Sequence, residues 1–329
     1  MCAIIGCLLS PVIILPAILG TVIYYVRKHK QGIQFKKHTD EPGKVFIVTG
    51  SNTGIGKEIV RELAKRGGTV YIACRDLKRC EQARLEIVRE SNNPNVFSRE
   101  LDLNSLDSIH KFVAGFKREQ DKLHVLINNA GIMRCPRRLT KDGFESQLGV
   151  NHMGHFLLTN LLLDVLKKSA PSRIVVLSSV AHTKGNINFS DLNSEESYDE
   201  IAAYSQSKLA NVLFARELAK RLEGSGVTVN ALNPGSVNTE LARDWNSPKG
   251  YFIRYVLKPL MWPILKTPKS GAQNSIYLSL DPDLVKVSGR YFHNCQEEEP
   301  ASAAQDDATA RRLWVESEKW TGLDTSKLD

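Results

Sequence analysis

Residues 45–48 form a short apolar run that leads straight into Thr49-Gly50-Ser51-Asn52-Thr53-Gly54-Ile55-Gly56, and helical spacing begins at Lys57. A strand that empties into a glycine-rich turn and feeds a helix is half of a βαβ unit. Such a unit needs parallel partner strands, and the chain supplies them. Runs at 70–74, 96–101, 123–127, 173–177 and 227–232 have strand length and are bounded by turn residues, and 290–292 is a weaker one. Helical patterns lie between, among them 57–66, which stops at Gly67-Gly68, and the polar stretch 77–89. Strands alternating with helices of this length imply a parallel sheet covered on both faces. The expected fold is α/β: a single Rossmann-type doubly wound parallel sheet of about seven strands. No internal repeat or low-complexity segment interrupts it. The 329 residues, 42% of them hydrophobic, suffice for one core of this size.

Ahead of the sheet the chain changes character. No residue from Ala3 to Val26 is charged, and a spanning helix needs about 20 apolar residues. Pro11 and Pro16 fall inside the run, which a membrane helix tolerates better than a soluble one. No basic side chain precedes the run, whereas Arg27, Lys28, Lys30, Lys36 and Lys37 follow it. That asymmetry places the C-terminal side in the cytosol. A cleaved signal peptide fits poorly, because the basic start is missing and the run is too long. The expected organisation is a transmembrane anchor at 1–26, a basic and polar linker at 27–43, and a catalytic domain at 44–329. The Asn188-Phe189-Ser190 sequon would be glycosylated only if that domain faced the lumen. The net charge of +8 is read as membrane orientation plus an anionic cofactor. No basic helix or aromatic RNA-binding motif points to nucleic acid. Cys2, Cys7, Cys74, Cys80, Cys135 and Cys295 form no C-x-x-C pair and no metal-ligand spacing, so free thiols in a reducing compartment and no metal are expected.

In the glycine turn, Gly50 permits the sharp exit from the strand, and Gly54 and Gly56 let backbone and helix approach a pyrophosphate. The second strand ends Ala73-Cys74-Arg75. An acidic residue there would bind the ribose 2′-hydroxyl of NAD, whereas a guanidinium pairs with a 2′-phosphate. NADP(H) is the expected cofactor, with Asp76 one residue further on as the counter-argument. Tyr204 and Lys208 stand four apart in Tyr204-Ser205-Gln206-Ser207-Lys208, one turn apart on a single helix face. An ammonium placed so can keep a phenol ready to exchange a proton.

With Asn128-Asn129-Ala130-Gly131 after the fourth strand, Ser178-Ser179 ending the fifth and Asn233-Pro234-Gly235 after the sixth, the chain resembles the short-chain dehydrogenase/reductase family from Lys44 to about Phe292. The resemblance implies that Tyr204 exchanges the proton with the substrate oxygen. It implies that Lys208 lowers the tyrosine pKa and holds the nicotinamide ribose, and that Ser179 polarises the substrate oxygen. Asn151 is the implied fourth catalytic member, anchoring a water. Besides Tyr204 and Lys208, the implied cofactor contacts are Gly50 to Gly56 (through Ser51, Asn52, Thr53, Gly54 and Ile55), Arg75, Asp102, Leu103, Asn128, Ala130, Gly131, Pro234, Gly235, Val237 and Thr239. Ser178 is the alternative to Ser179, since only one of two adjacent strand residues faces a site. Asn129 is read as structural, and His152, His155 and His182 as packing or supporting residues.

The stretch from Trp245 to Leu265, inside an expected lid at about 240–268, is aromatic, apolar and basic. It suits a lid that binds an apolar substrate and touches a membrane surface, or else an ordinary core helix. Asn151-His152-Met153-Gly154-His155-Phe156, Ser207-Lys208-Leu209-Ala210-Asn211 and Ile132-Met133-Arg134-Cys135-Pro136 resemble the membrane-anchored retinol dehydrogenases. That resemblance implies interconversion of retinaldehyde and retinol, or of a similar lipophilic carbonyl and alcohol. Steroid or other lipid carbonyls and a non-catalytic NADPH-binding scaffold are the alternatives. It also implies a single-pass membrane protein of the endoplasmic reticulum facing the cytosol, with a mitochondrial membrane as the other location and a homodimer as a further option.

Overall fold

In a computed structural model of the chain, the structure describes residues 11–240, 255 and 260–323. Its helices are α1 (Pro11–Lys30), α2 (Gly54–Lys65), α3 (Leu77–Ser91) and α4 (Leu106–Glu119). In α5 the turn Ser146–Leu148 passes through a π-helical turn, Gly149–Met153, into Gly154–Leu161. After it come α6 (Leu163–Lys168), α7 (Glu200–Arg221), α8 (Pro268–Leu280) and α9 (Asp307–Thr321). The strands are β1 (Val45–Thr49), β2 (Thr69–Cys74), β3 (Val96–Glu100), β4 (Val125–Asn128), β5 (Ser172–Leu177), β6 (Val227–Asn233), β7 (Tyr291–His293) and β8 (Gln296–Glu297).

They form one sheet in the order β3-β2-β1-β4-β5-β6-β7-β8. The seven expected strands are parallel, and β8 adds an antiparallel edge to β7. The extra strand is two exposed residues long, so it carries no apolar run to announce it. Alternation along β1 divides the core: Val45 and Ile47 join one apolar cluster, Phe46 and Val48 the other. The first cluster takes side chains from α4, α5, α6, α7 and α9, the second from α2, α3 and α8. The sheet is therefore doubly wound. The order reverses between β1 and β4, and the crevice at the carboxyl ends of such strands is where this architecture binds ligands.

Two expectations need revision or restriction. Cys74 and Cys80 are joined as a disulfide, with Cα atoms 6.2 Å apart. The end of β2 and the first turn of α3 fold back on each other and bring the two sulfurs together, a juxtaposition that spacing alone does not disclose. Cys135 and Cys295 are free thiols. Among the described residues no helix is long and apolar enough to cross a membrane. Residues 3–10 of the N-terminal apolar run lie outside the described residues, as do 241–254 and 256–259 of the expected lid.

The segment after α1 is docked on the domain. Ile33 N–H donates to Asn294 Oδ1 at 3.0 Å and Phe35 N–H to Gln273 Oε1 at 2.9 Å. Lys37 Nζ lies 2.7 Å from Asp281, and Arg66 donates to the Lys37 carbonyl at 3.0 Å. Residues 31–41 thus lie along α8 as a strap.

Phe156 ties the site-bearing helices together. It is fully buried, 5.6 Å from the Phe214 ring on α7 and 4.8 Å from the Trp314 ring on α9. Phe156→Ala is expected to cost about 3–5 kcal/mol, read as a lowered urea midpoint with an unchanged m-value.

Candidate active site

The glycine turn is shaped by close approach. Gly50 has φ +62°, and a Cβ there would lie 2.8 Å from Ala130. At Gly56 a Cβ would meet Asn129 Nδ2 at 2.6 Å and the Ser51 Cα at 2.7 Å. The Thr53 side chain does not cap α2, which leaves the N–H groups of the first turn for an anion. Ser51 is buried with its hydroxyl turned back to the Val48 carbonyl at 2.7 Å. Any cofactor contact from Ser51 therefore comes from its backbone.

Thr49 joins β1 to the neighbouring strand end. Its Oγ1 accepts from Asn129 N–H and Ala130 N–H, both at 2.9 Å, and lies 2.9 Å from His155 Nε2. His155 Nδ1 is 3.0 Å from the Asn151 carbonyl, which can only accept. Nδ1 therefore carries the proton and Nε2 accepts from the Thr49 hydroxyl. Burial pushes the His155 pKa down to about 4, so the ring stays neutral and the chain of bonds is fixed. Asn129 Nδ2 donates to the Thr49 carbonyl at 2.7 Å, the structural role read from its place at a strand end.

Asn151 occupies the middle of the π-helical turn, an irregularity that recurs at functional sites. Its Oδ1 accepts from Ile132 N–H at 2.9 Å, and its Nδ2 donates to the Ile132 carbonyl at 3.0 Å and to Ser207 Oγ at 2.9 Å. Both amide protons are used. The side chain pins the loop after β4 to α7. A Cβ on Gly131 would lie 3.1 Å from Asn151 Oδ1 and 3.6 Å from Lys208 Nζ. The three residues converge there.

Helix α7 begins where the Asp199 carboxylate caps the N–H groups of Ile201 and Ala202. It carries Tyr204 and Lys208 into the interior, 5% and 4% exposed. The Ser179 hydroxyl acts on the Tyr204 phenol and favours its ionised form. Ser178 is buried and donates to the Lys208 carbonyl at 2.7 Å. Of the two adjacent serines, Ser179 is the one that faces the site. Burial raises the Tyr204 pKa, and the Ser179 hydroxyl and the charge of Arg134 offset part of that rise. Lys208 Nζ stands 5.8 Å from the Tyr204 ring centre and donates to the Leu177 carbonyl at 3.2 Å. Its own pKa is lowered to about 8 by burial. A buried ammonium with one carbonyl partner has N–H groups to spare, which fits a pair of ribose hydroxyls.

Arg134 is the residue the motif reading left without a role. It adopts φ +52°, and its N–H donates to Gln147 Oε1 at 2.8 Å. An arginine in the left-handed region is uncommon, and sequence gives no sign of it.

On the adenosine side, Arg75 is exposed just past β2. Asp76 caps α3, accepting from Arg79 N–H at 3.1 Å. The carboxylate that argued for a ribose hydroxyl is thus engaged by its own helix. Asp102 accepts from Asn104 N–H at 3.1 Å and lies 3.5 Å from Lys141, while the Leu103 side chain is buried. The Asn128 side chain turns inward, fully buried, and donates to Thr159 Oγ1 at 2.8 Å. Asn128 therefore turns its amide away from the crevice. Residues 234–239 lie over the glycine turn: a Cβ on Gly54 would meet Thr239 at 3.4 Å, and Val237 pairs with Lys266. The two ends of the lid are joined there, since Lys266 N–H donates to the Ser236 carbonyl at 2.9 Å and Asn238 N–H to the Lys266 carbonyl at 3.0 Å.

Two more histidines have supporting places. His152 Nε2 is 2.9 Å from Ser317 Oγ. His182 Nδ1 is 2.7 Å from the Ser179 carbonyl, and its Nε2 accepts from Ala301 N–H at 3.2 Å. His182 so ties the C-terminal segment to the serine turn. Among the described residues no cluster of His, Cys, Asp and Glu could hold a metal ion.

Residues 44–250 match the short chain dehydrogenase family. The chain is 54% identical to human retinol dehydrogenase 13 over 284 residues, 86% of each chain. It is 49% identical to the mouse protein of that name, over 96% of this chain and 94% of the other. It is also 49% identical to human retinol dehydrogenase 12, over 91% and 92%. Among solved structures, an uncharacterised protein from Mycobacterium Paratuberculosis is 36% identical with a TM-score of 0.72, covering 89% of this chain and 98% of that one. An actinorhodin polyketide ketoreductase variant with NADPH is 27% identical with a TM-score of 0.58, covering 76% and 94%. With Tyr204, Ser179 and Lys208 gathered at the switch point of a doubly wound sheet, the chain belongs to the short-chain dehydrogenase/reductase family of oxidoreductases, in its retinol dehydrogenase subgroup.

Proposed function

We propose that this oxidoreductase is bound to a membrane and interconverts retinaldehyde and retinol, or a similar lipophilic aldehyde or ketone and its alcohol, using NADP(H). The observation that carries the reading is the pair Tyr204 and Lys208, buried on one helix, with the Ser179 hydroxyl acting on the phenol. A carbonyl oxygen seated between these two hydroxyls would be polarised by Ser179 and protonated by Tyr204. The phenolate left behind is stabilised by the Ser179 hydroxyl and by the positive charge of Arg134. The residues that would hold the cofactor are the uncapped first turn of α2, Arg75 and Lys208. A bound nicotinamide supplies the hydride.

Cofactor choice rests on Arg75 standing where an acid would serve NAD, and on Asp76 being spent as a helix cap. The related polyketide ketoreductase was solved with NADPH, and the retinoid substrate comes from the names of the sequence relatives. The N-terminal apolar run, followed by Arg27, Lys28 and Lys30, supports a single-pass anchor in the endoplasmic reticulum with the domain in the cytosol. The sequon at Asn188, on an exposed stretch, reports on that orientation: an unglycosylated chain in cells supports it, a glycosylated one rejects it.

Membranes carrying the full chain are expected to reduce all-trans-retinaldehyde with NADPH. Tyr204→Phe should lower kcat by about 10²–10⁴-fold, the range for a positioned proton donor. Full activity in that variant would reject the mechanism. Cofactor binding without turnover of retinaldehyde, steroid or other lipid carbonyls would favour a scaffold. Arg75→Ala should weaken NADPH about 10–100-fold, the loss of one charged hydrogen bond or pair, and leave NADH unchanged by titration calorimetry. Equal weakening of both would reject the 2′-phosphate role.

The pH profile has a definite sign. Lys208 is charged below about 8 and neutral above, while Tyr204, its pKa raised, keeps its proton through that range. If the Lys208 charge contributes to holding the nascent phenolate, reduction should fall as pH rises through about 8. The residual activity of Lys208→Met should lack that limb. A limb that persists in the variant assigns it to another group.

A further inference from the structure

The carboxyl end of α1 and the exit of the lid are locked together. Arg27 Nη1 donates to the Trp262 carbonyl at 2.7 Å, and its guanidinium lies 4.0 Å from the centre of the Trp262 ring. One turn on, Gln31 Nε2 donates to the Leu265 carbonyl at 3.3 Å, and Gln31 Oε1 accepts from Thr267 N–H at 2.9 Å. The strap at Ile33, Phe35 and Lys37 then fastens the chain to the domain. Helix α1 does not swing on a tether. Its last turn has a fixed place beside residues 262–267.

Around that joint the surface is apolar without cover. Leu260, Met261, Trp262 and Ile264 are 73%, 38%, 47% and 43% exposed. On α1, Leu15, Ile18, Leu19 and Val22 are each more than half exposed. The four on α1 precede Arg27 by about one to three turns, and the four at 260–264 adjoin it at the level of the Arg27–Trp262 contact. That level is marked by Arg27, Lys28 and Lys30 in the last turn of α1. An apolar surface bordered by tryptophan, arginine and lysine matches the boundary of a lipid bilayer, where indole rings lie at headgroup depth and cationic side chains reach anionic headgroups. A second protein would not need the row of cations at the same height.

We infer that residues 260–264 are a second bilayer contact, held level with the cationic end of α1 by the clamp of Arg27 on Trp262. This rests on the reading of α1 as part of a membrane anchor. Its consequence for the enzyme follows from the next residues. Lys266 pairs with Val237, and residues 234–239 lie over the glycine turn. The root of the lid is therefore set at the lipid surface, and a substrate dissolved in the bilayer has a short path to Tyr204.

The test uses the full chain in phosphatidylcholine vesicles containing phosphatidylserine, with acyl chains brominated close to the headgroup. Flotation is measured first, then tryptophan quenching in the wild type, Trp262→Phe and Arg27→Gln. Trp262→Phe replaces an exposed ring and leaves the core untouched. The expected result is that all three float, that Trp262→Phe loses a bromine-quenched component, and that Arg27→Gln shows it diminished. Flotation with equal quenching in wild type and Trp262→Phe overturns the docking alone. In that case quenching of Trp262 by aqueous iodide places it in water, and cross-linking through that face gives it to a second copy. A chain that fails to float overturns the anchor reading and the docking with it.

Discussion

The site depends on a run of hydrogen bonds buried where the strand order reverses. Thr49 closes β1 and receives the N–H groups of Asn129 and Ala130. Its hydroxyl donates a hydrogen bond to His155 Nε2, and His155 Nδ1 donates one to the Asn151 carbonyl. The Asn129 N–H also reaches the Ile127 carbonyl at 3.0 Å, and each nitrogen of the His155 ring has one role in the arrangement. That arrangement fixes the glycine turn against the loop after β4, and the π-helical turn against both. Breaking it at Thr49 would leave a histidine nitrogen and the Ala130 N–H unpaired, and each such group costs about 1–3 kcal/mol.

Upon this frame the fold places groups that burial disfavours. Lys208 is an ammonium in the interior with a pKa lowered to about 8, and Tyr204 is a buried phenol whose pKa is raised. Burial favours the neutral form of both groups. Their surroundings include an adjacent hydroxyl, a guanidinium and a carbonyl, arranged where charge develops as a proton moves. Helix α7 can carry this polar pair because its other faces are packed: Phe214 lies against Phe156 and Trp314, and Leu213 and Leu218 are fully buried. Stability is gathered from the apolar faces and the polar face is held by them.

What could be read from sequence followed from how local each signal is. Strands β1, β2, β4 and β5 stand out because both faces of a parallel sheet are buried there, so their residues are mostly apolar, while the edge strand β3 is half polar and only partly buried. The glycine turn was legible because a Cβ at Gly50 or Gly56 would strike backbone atoms. The choice between Ser178 and Ser179 was not, since alternation says that one faces inward without saying which. The pairing of Cys74 with Cys80 depends on how the α3 turn folds back. The inward turn of Asn128 depends on Thr159, 31 residues later. Arg134 escaped because its importance lies in the direction of its charge toward Tyr204, and a motif does not state direction. The polar segment after α1 looked like a linker because its own side chains are hydrophilic. Its docking uses backbone N–H groups at Ile33 and Phe35, which are invisible to any pattern of side chains.

The strap and the glycine turn share one support. Helix α8 receives Phe35 at Gln273, while its Gly271 admits Val237 and Ile55: a Cβ on Gly271 would lie 2.6 Å from Val237 Cγ2 and 3.3 Å from Ile55 Cγ1. Ile55 belongs to the first turn of α2 and Val237 to the root of the lid. One helix therefore sets the distance between the N-terminal strap, the lid and the pyrophosphate turn. A side chain larger than hydrogen at 271 would push the lid root away from α2 while leaving the sheet intact, because α8 packs on the sheet through a different set of residues that includes Ile276. The coupling runs through packing at a single glycine, so the alignment of lid and cofactor site is set by α8 before any ligand arrives.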